Sequence, residues 1–296
     1  MMCSTSFDFR FVQASIFALL LAASSGSGPA FAAESAWETG HKAQARLLSG
    51  GAKVEARGLD LPEDARLAFV EIVLEPGWIT YWRTPGDAGG LPPSFDWSKS
   101  SNLSAAEVLY PAPRRFTDKA GDTLGYEGSL VLPVVLQPKR ADEPIMLVVD
   151  LNYGICKDVC IPVDAVLSLE IGTDETAEPL PEEALGALDA VPRAQDKLRP
   201  GDPELVSAAG TLGGSAPTIT IEARFPDGGR GADVFLEAPD SLYLPLPDAK
   251  ERKDGDILVF EAALGEDVDV ALLQGKAITA TLVSETGASV ATFLVK

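Results

Sequence analysis

The chain has 296 residues and a formal net charge of −20, a balance that argues against nucleic acid and against charge-driven binding to anionic lipid. The acidic surplus reads as solvated surface, or as a match for a partner with a basic face. A single histidine, His41, leaves little for Ser/His/Asp catalysis, and the length suits two domains rather than one.

The first 32 residues read as a secretory signal peptide. Phe11 to Ala23 is a mostly apolar run, long enough for an h-region and too short to span a membrane. Ala30-Phe31-Ala32 supplies the small-x-small cleavage pattern, so the mature chain is expected to begin at Ala33. Arg10 is offset by Asp8, which makes the n-region weak. Cys3 precedes the apolar run and is expected to be lost on processing. Two cysteines then remain, in an export context where disulfides persist. No later segment is apolar enough to cross a bilayer, and the product is expected to be soluble.

From His41 onward strands alternate with Gly/Pro/Asp turns, which gives an all-β reading. Val70, Ile72 and Leu74 alternate as in a strand with one buried face. After the break at Glu75-Pro76-Gly77 comes an aromatic stretch, Trp78-Ile79-Thr80-Tyr81-Trp82-Arg83, and then the turn-rich Thr84 to Gly90. Tyr81 or Trp82 can serve as sandwich core or as a wall beside a reactive group. Val108-Leu109-Tyr110 reads as a short strand. Arg114 to Gly128 is polar and turn-prone but carries Phe116 and Tyr126, packed on their own domain or forming a lid. Leu130 to Leu136 and Ile145 to Val149 are strong strands, the first with a proline, Pro133, that predicts an edge or a bulge. Asn102-Leu103-Ser104 matches a glycosylation sequon, a pattern frequent by chance.

The most informative stretch is Asn152-Tyr153-Gly154-Ile155-Cys156-Lys157-Asp158-Val159-Cys160-Ile161-Pro162. On a continuous strand, positions four apart lie about 13 Å apart, whereas a disulfide needs Cα atoms within about 7 Å. If the two cysteines bond, the chain must turn between them, on a loop, hairpin tip or helical turn. Closing a loop of about five residues stabilises by only ~2 kcal/mol, against ~4–5 for a loop of about a hundred. Thiol–disulfide exchange is therefore favoured over a local structural bridge, and both over metal binding, for which no second cysteine pair exists. Lys157 would favour a thiolate on Cys156 and Asp158 would oppose it. The strand Ile145 to Val149 enters this loop and Ala165 to Ile171 leaves it.

Residues 173–210 are rich in Glu, Ala, Pro and Leu and read as a linker with one short helix near Pro181-Glu182-Glu183-Ala184-Leu185. Residues 211–296 return to strands: Ile219 and Ile221 alternate, then Val234 to Leu236, Ile257 to Phe260, Ala277 to Leu282 and Val290 to Val295. This second module has no cysteine, histidine or tryptophan and suits docking or spacing better than chemistry.

The order of the aromatic strand Gly77 to Arg83, a capping segment before Leu130-Val131-Leu132-Pro133-Val134, and Tyr153-x-x-Cys156…Cys160-Ile161-Pro162 resembles the N-terminal domain of the transmembrane disulfide reductase DsbD, and more closely the ScsB-type proteins. The resemblance covers about residues 37–172, and residues 211–296 are more loosely similar to a second β module of ScsB-type chains. It implies immunoglobulin-like sandwiches at 33–172 and 211–296. It also implies that Cys156 and Cys160 take electrons from a membrane-embedded or thioredoxin-like donor and pass them to oxidised periplasmic proteins. Tyr81 matches an aromatic beside the family's active site, with Trp82, Tyr153 and Asp158 as its surroundings. The segment Phe116 to Tyr126 matches a cap that shields the cysteines. The cysteine spacing is shorter than in the best-known member, whose acidic-acidic-aromatic cap motif is not reproduced. No membrane or thioredoxin part follows, so the donor is expected to be a separate protein. No cofactor or metal is expected. The rival reading is a non-enzymatic binding or assembly module with a structural disulfide.

Overall fold

A computed structural model describes residues 1, 33–49, 59, 61–119, 121–173, 180, 182–253 and 255–296. The signal-peptide reading, with Cys3 and the Ala30-Phe31-Ala32 pattern, lies outside these residues, as does Pro181. The first eleven strands are β1 (Glu38–Thr39), β2 (Ala43–Ser49), β3 (Arg66–Leu74), β4 (Ile79–Tyr81), β5 (Ser94–Asp96), β6 (Leu103–Val108), β7 (Arg114–Thr117), β8 (Asp122–Glu127), β9 (Ser129–Pro138), β10 (Ile145–Cys156) and β11 (Cys160–Ile171). Helix α1 (Glu182–Ala190) follows, then β12 (Arg193–Ala194), β13 (Glu204–Thr211), β14 (Thr218–Arg224), β15 (Asp233–Glu237), β16 (Asp248–Arg252) and β17 (Ile257–Ala263). A short helix α2 (Val270–Leu273), β18 (Ala277–Val283) and β19 (Ala288–Leu294) complete the described chain.

The strands make four sheets. One has the order β1-β2-β3-β9-β6 and the next β11-β10-β4-β8-β7, with β5 beside β10. Ile72, Leu132 and Val134 of the first sheet meet Leu147, Val149 and Leu151 of the second in one core. The C-terminal sheets, β12-β19-β18-β15 and β13-β14-β17-β16, enclose a second core around Ile221, Phe260, Ile278 and Leu282.

Three expectations need correction. β3 is buried on both faces rather than one, because α1 lays Ala184, Ala187 and Leu188 over Leu67, Phe69, Val131 and Val135 on the outer side. Even Glu71 is buried there, held by Arg46 Nε at 2.7 Å. Pro133 sits in the interior strand β9, opposite Phe69, not at an edge. Its carbonyl accepts from Leu109 N–H on the side where β6 has just ended at Val108. Its missing donor therefore falls where no ladder partner is needed. The short strand read at Val108–Tyr110 is in fact the end of β6 and the turn after it.

The stretch read as a linker holds α1, β12 and most of β13. Sequence periodicity located β14, β15, β17, β18 and β19 but missed β13 and β16. Both are sheet-edge strands whose side chains are mainly polar or small, as edges require.

Candidate redox site

The two cysteines bond, with Cα atoms 4.1 Å apart. The turn between them is a hairpin tip: β10 and β11 pair continuously from Ile145↔Ile171 to Cys156↔Cys160. Both strands run on to the cysteines themselves, well past the bounds that periodicity gave. Only Lys157, Asp158 and Val159 lie outside the ladder, and all three are exposed. Cys160 is exposed as well, while Cys156 is half-buried.

Strand parity decides which aromatics reach this tip. Along β10, Ile145, Leu147, Val149, Leu151, Tyr153 and Ile155 point into the core, so Gly154 and Cys156 point outward. β4 lies alongside with Ile79 opposite Cys156 and Thr80 opposite Ile155. Residues directly opposite share a face. Tyr81, two residues from Ile79, therefore stands on the outer face with the disulfide. Its hydroxyl donates to Cys160 Sγ at 3.0 Å.

The Tyr81 ring is fitted between two glycines. A Cβ on Gly90 would come within 2.2 Å of the ring, and one on Gly154 within 2.9 Å of it. Leu91 completes the wall, accepting from Gly154 N–H at 2.8 Å through its carbonyl. Thr80, pointing the other way, is fully buried and donates to Gly154 O at 2.8 Å, which ties β4 to the cysteine strand.

Of the other candidates, Trp82, Tyr126 and Tyr153 lie in the core and away from the outer face. Trp82 tilts against Phe235 of β15, centroids 5.9 Å apart. Tyr126, opposite Thr80, donates to Pro111 O at 2.8 Å. It is a core tyrosine on β8, not a residue of a loop. Burial pushes the Tyr153 hydroxyl up to about 12. Phe116 is half-buried on β7, opposite Thr123, on the outer face of the same sheet but further along. The segment expected as a capping loop is thus the β7–β8 hairpin.

That hairpin lies along the excursion from Tyr81 to Leu91, Ala88 N–H donating to Asp122 O at 3.1 Å. Burial chiefly, and then the Asp118 carboxylate at the tip, push the Tyr81 hydroxyl above its ordinary value, so Tyr81 stays a protonated donor. Asp158 is on the cysteine turn itself. Lys157 reaches over Gly77 toward Pro76 O at 3.4 Å, so its ammonium is drawn to the 76–77 turn. Sequence reasoning missed Gly90, Leu91 and Gly154. Glycine carries no pattern of its own here, and the Tyr81 ring, joined at Gly154 by Leu91, reveals why a side chain is excluded. No group of three or more metal-binding side chains occurs among the described residues.

Comparison with curated proteins gives no match. Among solved structures, the crystal structure of the N-terminal periplasmic domain of ScsB from Proteus mirabilis superposes with a TM-score of 0.62 at 21% identity, covering 89% of this chain and 98% of that one. That likeness establishes the fold. Residues 44–170, which hold both bonded cysteines, Tyr81 and the glycines around it, match the family model described as thiol:disulfide interchange protein DsbD, N-terminal.

Proposed function

We propose that this chain is a periplasmic thiol–disulfide interchange protein that relays electrons through Cys156 and Cys160. The carrying observation is a disulfide at a hairpin tip in which Cys160 is exposed and its sulfur accepts a hydrogen bond from Tyr81 on the same face. The family match over residues 44–170 supports the same reading.

A thiolate of a membrane-embedded or thioredoxin-like donor attacks Cys160 Sγ, forming a mixed disulfide and expelling Cys156 as thiolate. The donor's second thiol then attacks its own sulfur in that bond. The donor leaves oxidised to a disulfide, and this chain holds two electrons and, after protonation, two thiols. Repeating the exchange in reverse on an oxidised periplasmic protein returns Cys156–Cys160 to the disulfide. Tyr81 stabilises the Cys160 thiolate by donating to it, and the β7–β8 hairpin limits access. In this reading the chain is two immunoglobulin-like sandwiches joined through residues 173–210, exported by the signal peptide at 1–32.

An equilibrium redox titration read by thiol alkylation tests it. A midpoint of roughly −180 to −270 mV is expected, the range of thioredoxin-like exchange partners. A midpoint below about −300 mV, where structural disulfides lie, would replace the relay with a binding module carrying a staple.

A further inference from the structure

The strand β15 alternates with unusual clarity. Val234 and Leu236 enter the C-terminal core, whereas Phe235 belongs to the N-terminal one. Asp233 and Glu237 share the outward face with Phe235, and each holds an arginine of the N-terminal half. Glu237 takes Arg83 Nε at 2.8 Å and Nη2 at 2.6 Å, and also the Thr84 hydroxyl at 3.0 Å. Asp233 takes Arg115 Nε at 2.9 Å and Nη2 at 2.7 Å. Both are two-point guanidinium–carboxylate pairs, the geometry that fixes orientation as well as distance.

The clasped segments adjoin Tyr81: Arg83 follows it on the chain, and β8 of the hairpin pairs with β4 at Tyr81↔Gly125. Arg83 and Thr84 open the excursion from Tyr81 to Leu91, both ends of which lie against Gly154. Tyr243 of the C-terminal half holds the middle of that excursion, its hydroxyl donating to Asp87 at 3.0 Å. Arg115 lies on β7 (Arg114–Thr117), just before the turn of the hairpin. It also binds Asp122 at 3.0 Å at the start of β8, so Asp233 grips the hairpin across both strands. Phe235 is the apolar pin between the two clasps, against Trp82.

We infer that the C-terminal sheets are a positioning element for the redox site: Asp233 and Glu237 set the Tyr81 wall and the β7–β8 hairpin against Cys160, so access to the disulfide is governed from β15. The inference rests on the redox reading of the site. It assigns to the C-terminal half a mechanical task that contact with the cysteines themselves would not reveal. Water reaches the seam, where Arg83 and Glu237 side chains are 34% and 19% exposed beside a cavity of about 420 Å³ lined by Thr84, Leu236 and Tyr243. The Arg83–Glu237 clasp can therefore be broken without first unfolding either core.

The test is the rate at which dithiothreitol reduces Cys156–Cys160 in the full chain, for the native protein, Glu237→Gln with Asp233→Asn, the exchange Arg83→Glu with Glu237→Arg, and Leu188→Ala. Leu188 is on α1, packed against the outer side of β3 and β9 and outside the seam, and its truncation lowers stability without touching either wall. Reduction about tenfold faster is expected in the Asp233/Glu237 variant, the scale of losing the net contribution of one charge-assisted hydrogen bond. The exchanged pair is expected to return toward the native rate, and Leu188→Ala to match it. Native rates in the Asp233/Glu237 variant overturn the inference, and so does equal acceleration in Leu188→Ala, which would make the effect one of general stability. This rate is measurable whatever the midpoint potential. A potential in the structural range would remove the interchange reading alone, while unchanged rates would remove the role of β15 alone.

Discussion

At Tyr81 one hydroxyl connects the aromatic strand to the chemistry. In the disulfide it donates to a weak sulfur acceptor at 3.0 Å. In the proposed exchange the same hydroxyl would face a thiolate after reduction, and a hydrogen bond to a charged acceptor contributes about 1.5–3 kcal/mol. Tyr81→Phe keeps the ring between Gly90 and Gly154 and removes only the donor. Alkylation of reduced Cys160 at pH 7 is expected to slow about tenfold, the lower end of that range, because less thiolate is present. An unchanged alkylation rate would mean that Tyr81 is a wall and no more. The aromatic run itself was legible in the sequence. The residue pattern left open which of Tyr81 and Trp82 turned outward, since that depends on the pairing of Ile79 with Cys156 across β4 and β10, and only the family resemblance pointed to Tyr81.

On the scale of elements, the cysteine hairpin is held by its ladder rather than by its bond. Twelve residue pairs join β10 to β11 up to the cysteines, and the disulfide closes only the short turn beyond them. Replacing both cysteines with serine is expected to cost about 2 kcal/mol in urea unfolding with the m-value unchanged. A loss of 4 kcal/mol or more, on the order expected for a long-range bridge, would contradict a local role. Leu188→Ala should cost about 2–3 kcal/mol by cavity formation, read in the same unfolding experiment, because α1 is what seals the outer face of β3 and β9. These features differ in how far sequence exposes them. A bond between cysteines at this spacing required a turn, and the strong apolar runs on either side marked the strands. The cover supplied by α1 was invisible, because a helix reading fixes neither the sheet nor the face on which it lands.

Over the whole molecule, the seam was the part least open to sequence reasoning. Arg83 and Glu237 stand 154 positions apart, and neither residue type at such a distance announces a partner. The pattern Asp233-Val234-Phe235-Leu236-Glu237 did carry a signal, an aromatic between two acids on one face of a strand. Apolar periodicity alone reads it as half-buried surface.

The tyrosines give a measurement that samples both halves and the seam at once. The chain has five, and all five are held above the ordinary value. Tyr110 and Tyr153 are pushed to about 12 by burial, and Tyr243 to about 12 by burial and then Asp87. Tyr81 is raised, and Tyr126 is raised further, by burial first in each case. A folded pKa above the unfolded one means that the native state keeps its proton while the unfolded state releases it. The stability this confers is whole below about pH 10, the unfolded value, and is lost as pH rises through the folded values near 12. Absorbance at the phenolate band should therefore show no tyrosine ionising with an ordinary midpoint while the protein is folded. The step should appear above pH 11, together with the loss of native circular dichroism. A tyrosine that titrates near pH 10 with the fold intact would show that its environment is open to water. Were it Tyr243, identified by its loss in Tyr243→Phe, the Asp87 contact across the seam would not hold in solution.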